Sequence, residues 1–296
     1  MVLSEEEKNQ VFFSNLLALS YPDIWKQICE ILFKYGYPIN RLSHTKDYWC
    51  RDYMPIQINE NSFVQFIYKP DYLRFLKKYQ TNTDDVIKHI VDIAPNVTKS
   101  KLVVGGGDIV VCKNSAGKTW VVMTDKIVYE NPAYSKGEIT SIISKDLGGA
   151  EVIWLPWDSA EKFGHTDGLI NFINGNSDKP SIMVYLSLYT DKMANEIRSR
   201  LKQAFDVHEL SFSKDDEYNW AYVNLLRTRD FIIIPGLGTD CDKEAMFQIE
   251  SLYPDYKGHI YQINIFPIVE EYGGAFNCMT WTVQKEIDLL CDCSEE

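Results

Sequence analysis

Apolar residues recur along the chain at two distinct spacings. Near the start, Ser4 followed by Glu7 has the pattern of a capping box. Val11, Phe12, Leu16 and Leu17 follow at helical spacing, Pro22 breaks the run, and residues 24–33 resume it. That spacing predicts two helices within residues 4–35. The helical period returns at 84–93, 136–147 and 191–205, and 242–253 looks similar. Between these segments lie short β-rich runs at 101–104, 109–112, 119–123, 152–155, 169–173, 182–186, 231–235 and 259–263. Alternating strands and helices predict an α/β or mixed α+β fold. No linker or low-complexity tract interrupts the 296 residues, so one domain over 1–296 is expected, with the helices of residues 4–35 packed on it.

Composition narrows the function classes. The net charge of −12 disfavours nucleic acid or an anionic membrane as partner and suits a small cationic ligand. No run is long and apolar enough to cross a membrane, and the acidic start of the chain lacks the pattern of a secretory signal. The expected location is cytoplasmic. Cys29, Cys50, Cys112, Cys241, Cys278, Cys291 and Cys293 show no CxxC pairing, so neither a disulfide framework nor a zinc site is expected. Most read as buried thiols, with at least one available as a nucleophile. The terminal CDCSEE reads as a solvated tail.

Four short stretches carry candidate chemistry. The first is DYWCRDYMP, residues 47–55, with Trp49, Arg51 and Asp52 just before Pro55. The second is VVGGGDIVV, with Gly106, Gly107 and Asp108. A β-run rather than a helix follows its glycines, which disfavours a phosphate site and favours a tight connection with close backbone approach. The third is FGHTDGL, residues 163–169, where His165 and Asp167 lie between Gly164 and Gly168. The fourth is YGGAFNCMTW, residues 272–281, where Asn277 and Cys278 follow a glycine pair. Taken singly, each has a plain structural alternative: a charged turn, a satisfied core histidine, a buried cysteine.

In this order the four stretches resemble the guanidino-group-modifying superfamily, in the branch of agmatine deiminases and bacterial-type peptidylarginine deiminases. The matching blocks are Trp49–Pro55, Gly105–Asp108, Gly164–Asp167 and Gly273–Cys278, and AYVNLLRTRDFIIIPGLG at 221–238 is similar to a further block. The resemblance implies a five-bladed α/β propeller, in which ββαβ modules surround a pseudo-fivefold axis and supply catalytic groups from different modules. It implies hydrolysis of a guanidino group with release of ammonia and no metal or organic cofactor. Cys278 would be the nucleophile, His165 the proton shuttle, and Asp52 and Asp167 the guanidinium holders. Trp49, Arg51, Gly106, Gly107, Asp108, Gly164 and Asn277 would line the substrate.

The resemblance has gaps. The family's glutamate before the glycine pair is replaced by Gly105, and Trp281 interrupts the usual run after the cysteine, either lining the pocket or packing the core. An agmatine-like small molecule, with a role in polyamine biosynthesis, is slightly favoured over peptidyl-arginine. An amidinotransferase and a catalytically weak guanidino-binding protein are the alternatives. A homodimer is the candidate assembly.

Overall fold

A computed structural model describes residues 2–285, and the expected tail CDCSEE, with Cys291 and Cys293, lies outside the described residues. Its strands form five three-stranded sheets of one design. In each, the central strand pairs antiparallel with one neighbour and parallel with the other. An antiparallel pair can be closed by a short turn, but a parallel pair needs a crossover. Helices supply it: Thr83–Ile87, Lys126–Glu130 with Lys136–Asp146, Asp191–Lys202 and Cys241–Leu252 each precede the third strand of a module. The molecule is a five-bladed α/β propeller.

The first sheet closes the ring. Its central strand is Gln10–Ser14, its parallel partner Asn40–Leu42, and its antiparallel partner Thr280–Val283 from the other end of the chain. Phe12 stands opposite Trp281, with ring centroids 5.0 Å apart. Trp281 is buried, and its indole N–H donates to the Pro55 carbonyl at 2.7 Å. Trp281 therefore packs the core.

Here the structure corrects the helical reading of residues 4–14. Glu5–Glu7 form one short 3-10 turn, and Val11 and Phe12 lie in a strand. Val11 and Phe13 pack in one cluster while Phe12 packs in another. Apolar side chains on both faces fit a strand between two layers better than an amphipathic helix. Helices do follow at Asn15–Ser20 and Pro22–Lys34, whose Leu17, Ile28 and Leu32 belong to one core cluster with Ile233 of the strand Ile232–Gly236. The helix expected over 84–93 stops at Ile87 and continues as turns. The strands at 40–42, 56–59, 62–67, 206–209 and 226–227 are short or mixed in polarity and show no strand pattern in the sequence. Among the described residues, no helix is long and apolar enough to cross a membrane.

Candidate active site

Each module opens with its antiparallel strand, and the residues just before that strand turn toward the centre. Cys278 precedes Thr280–Val283, Asp52 precedes Ile56–Asn59, and Asp108 precedes Val110–Lys113. Asp167 precedes Ile170–Asn174 and Asn224 precedes Leu226–Arg227. Hydrogen bonds link the five positions into a closed ring. The Arg51 N–H donates to the Cys278 carbonyl at 3.1 Å. The Gly107 N–H donates to Asp52 Oδ1 at 3.1 Å, and Thr166 Oγ1 donates to the Asp108 carbonyl at 2.9 Å. Asn224 Nδ2 donates to the Asp167 carbonyl at 3.2 Å and Asn224 Oδ1 accepts the Cys278 N–H at 3.2 Å. Every module thus fixes its neighbour's reactive residue.

Within this ring lie three carboxylates, an imidazole and a thiol, all largely buried. His165 Nδ1 is 3.7 Å from Asp52 Oδ1, and the Cys278 thiol points to Asp167 Oδ2 at 3.6 Å. Asn277 Nδ2 donates to the same Asp167 oxygen at 2.7 Å. Asp108 Oδ2 accepts the Gly105 N–H at 2.7 Å. Asp108 Oδ1 and Asp167 Oδ1 are buried without a hydrogen-bond partner.

Burial and mutual repulsion set the proton affinities. Burial raises Asp52, His165 opposes it, and Asp167 and Asp108 add to it, leaving its pKa at about 6. Burial disfavours the His165 imidazolium, but Asp52, Asp108 and Asp167 outweigh burial and the opposing Lys126, giving a pKa of about 9. Burial first, then Asp167 and Asp52, hold the Cys278 thiol well above its ordinary value. The arrangement combines a thiol that holds its proton and an imidazole that favours its cationic form with three carboxylates.

Two cavities reach Cys278 and His165, and both are bounded by Phe163 and Gly273. One, of about 370 Å³, is walled by Asp158, Glu161, Glu217, Tyr185, Tyr189 and Trp220. The other, of about 460 Å³, is largely aromatic, with Tyr48, Trp49, Tyr68, Tyr72, Tyr79 and Tyr272.

The predicted site residues fall into two groups. Cys278, His165, Asp52, Asp167 and Trp49 line the cavities, and Gly107 and Asp108 lie against them. The others stand behind this surface. Arg51 does not line either cavity: its guanidinium is committed to Glu5, Asn277 and Thr282. Gly106 is required by packing, since a Cβ there would lie 1.9 Å from the Arg51 carbonyl oxygen. Gly164 has φ of +64°, and its Cβ would meet Lys126 Cδ at 2.7 Å, so it shapes the loop. Asn277 supports Asp167 from below. Sequence reading missed Asn224, although it lies in the AYVN block, missed Phe163, although it opens FGHTDGL, and missed Glu161, which lies on a loop without a pattern of its own. Among the described residues, no group of three or more His, Cys, Asp or Glu side chains is arranged to hold a metal ion.

Comparison with known proteins supplies the family. A family model described as Porphyromonas-type peptidyl-arginine deiminase matches residues 13–283. A curated Streptomyces coelicolor protein named "Putative agmatine deiminase" is 22% identical over 261 residues, covering 79% of this chain and 75% of that one. The solved C. jejuni agmatine deiminase superposes with a TM-score of 0.75 at 15% identity, covering 97% of this chain and 96% of its own. The agmatine deiminase of Enterococcus faecalis superposes with a TM-score of 0.69 at 20% identity, with the same coverage of 97% and 96%. These superpositions establish a shared fold.

Proposed function

The chain belongs to the Porphyromonas-type peptidyl-arginine deiminase family, hydrolases of C–N bonds in amidines, and from that premise we propose that Cys278 deiminates an agmatine-like guanidine. The observation that carries this reading is the pair of buried, unpartnered oxygens, Asp108 Oδ1 and Asp167 Oδ1, the second on the carboxylate that faces the thiol. Buried acceptors call for donors, and a planar guanidinium offers five in fixed directions.

The reaction follows from the charges. Burial, then Asp167 and Asp52, hold the Cys278 proton on; a bound guanidinium neutralises the two carboxylates, so the thiol gives up its proton to solvent as substrate arrives. The thiolate adds to the guanidinium carbon. A C–N bond breaks as His165 donates its proton to the departing nitrogen, releasing ammonia and leaving an S-alkylthiouronium on Cys278. Neutral His165 then takes a proton from water, the hydroxide adds to the same carbon, and the C–S bond breaks. The hydroxyl proton of the collapsing adduct passes to the departing sulfur, which restores the neutral thiol, and a ureido product leaves. On this reading the reaction belongs to the cytoplasm and to polyamine biosynthesis.

The wall of the smaller cavity favours a cationic tail. Asp158, Glu161 and Glu217 lie there without a lysine or arginine among its lining residues. A free arginine would bring its carboxylate against that wall. Ammonia release is therefore expected in the order agmatine, N-acylated arginine peptide, free arginine, measured side by side at one pH. Fastest release from the peptide would redirect the reading to a peptidyl substrate. An amine acceptor in place of water is the second reading, because the aromatic cavity also opens on Cys278. Release of the substrate's own alkyl amine in place of ammonia, together with an amidinated acceptor amine, would identify it.

Two titrations bound the activity. Asp52 must be ionised to hold the cation, so kcat/KM is expected to fall below about 6. His165 must carry its proton to serve the leaving nitrogen, so kcat/KM is expected to fall above about 9. A pH profile of kcat/KM checks both limbs. Gly105 sharpens the acid limb: a Cβ there would lie 3.3 Å from Asp108 Oδ2 and 3.5 Å from Asp52 Oδ1. Gly105→Glu adds a carboxylate to the nest and is expected to move that limb upward, because neighbouring like charges favour the protonated forms.

A further inference from the structure

The triplet Glu5–Glu7 sends each carboxylate to a cation from a different module. Glu5 meets Arg51, Glu6 meets Arg227 at 3.6 Å, and Glu7 meets Lys113. The Glu5 contact differs from the others because it continues to the reacting thiol. Arg51 Nη1 and Nη2 donate to the two Glu5 oxygens at 3.1 and 3.3 Å. Thr282 Oγ1 donates to Glu5 Oε2 at 2.6 Å, and Lys8 Nζ lies 2.7 Å from Oε1. Burial raises the Glu5 carboxyl, yet Arg51 and Lys8 outweigh it and hold its pKa down at about 2. Arg51 Nη2 then donates to Asn277 Oδ1 at 2.9 Å. Asn277 Nδ2 donates to Asp167 Oδ2 at 2.7 Å, the oxygen that also faces the Cys278 thiol.

The order of this chain is forced by its chemistry. A guanidinium only donates, so it can meet only the carbonyl end of the Asn277 amide. That leaves the NH₂ end for Asp167. With Arg51 displaced, the amide loses the anchor on its carbonyl side and is free to rotate away, which loosens the N–H that it donates to the carboxylate. A guanidinium this buried stays in place only while a carboxylate pairs with it.

We propose that Glu5 is a positioning residue for Cys278: by holding Arg51 it fixes the Asn277 amide, and through it the Asp167 carboxylate, against the thiol. The proposal rests on the reading that Asp167 holds the guanidinium. Glu5 touches neither substrate nor thiol, and nothing in the W-x-R-D block alone points to it. The spacing of Ser4 and Glu7 reads as a helix start, whereas the triplet ties the reactive turns together.

The test compares the labelling rate of Cys278 by a cationic reagent, chloroacetamidine, and by neutral iodoacetamide of similar size. Glu5→Gln keeps the shape of the side chain and removes its charge. Chloroacetamidine labelling is expected to slow about tenfold or more, as is kcat for the guanidine, because small misplacements of reacting groups are costly. KM is expected to change far less, and iodoacetamide labelling to stay within about twofold, since the thiol remains accessible. Lys113→Met removes the partner of Glu7 and loosens the same turn without touching Arg51, and it is expected to leave both rates near wild type. The proposal is overturned if Glu5→Gln matches wild type, slows both reagents alike, or is matched by Lys113→Met. If wild-type Cys278 shows no preference for the cationic reagent, the reading of Asp167 fails and the proposal falls with it.

Discussion

Cys278→Ala is expected to bring ammonia release down to background, a loss of about 10⁴-fold or more in kcat. Two features set this scale. The guanidinium carbon is a poor electrophile, so the carboxylates and His165 alone leave only weakly activated water. The site also contains no second thiol in reach: among the described cysteines, only Cys278 lines the cavities. Binding should survive. Removal of the sulfur leaves Asp52, Asp108 and Asp167 in place, so the variant is expected to bind agmatine with little loss. Calorimetry on Cys278→Ala checks this, and loss of binding together with turnover would point to a structural role for the cysteine.

Gly107→Ala is expected to lower kcat/KM by about 10²-fold or more while the protein stays folded. A methyl group at this position would lie 2.8 Å from Asp52 Oδ1, 2.9 Å from His165 Nδ1 and 3.2 Å from Asp167 Oδ1. All three atoms belong to the proposed machinery, and each must move by several tenths of an ångström to admit the methyl. Overpacking of this kind costs about 1–3 kcal/mol in stability. Its larger effect is on rate, since a shift of about 1 Å in a reacting group can cost about 10²-fold. Thermal unfolding and steady-state kinetics on the same preparation separate the two effects. An unchanged kcat/KM would mean that the three side chains can shift without consequence, which the proposed mechanism does not allow.

The five-bladed architecture was legible through the family resemblance and not through periodicity, and the candidate site residues were legible through short motifs. Asp52, Asp108, His165, Asp167 and Cys278 each sit in a short motif rich in glycine or aromatic residues. The longer helices at 136–146, 191–202 and 241–252 follow the helical period and were equally readable. The rest depends on contacts between distant segments. Val11 and Phe12 follow a helical spacing, yet the strand Thr280–Val283 claims their backbone. Arg51 reads as a substrate contact from its place beside Asp52, but residues far from it in sequence, Glu5 and Asn277, draw its guanidinium away from the cavities. Asn224 completes the ring of hydrogen bonds through groups that any asparagine carries, so its type alone gave no signal.

Intact-mass spectrometry of the wild-type protein, acid-quenched during turnover of agmatine, tests the covalent step most directly. The predicted result is a population carrying the mass of agmatine less ammonia, mapped by peptide digestion to Cys278 and missing from Cys278→Ala. Ammonia release without that adduct, continuing undiminished in Cys278→Ala, would contradict a mechanism in which Cys278 attacks the guanidino carbon.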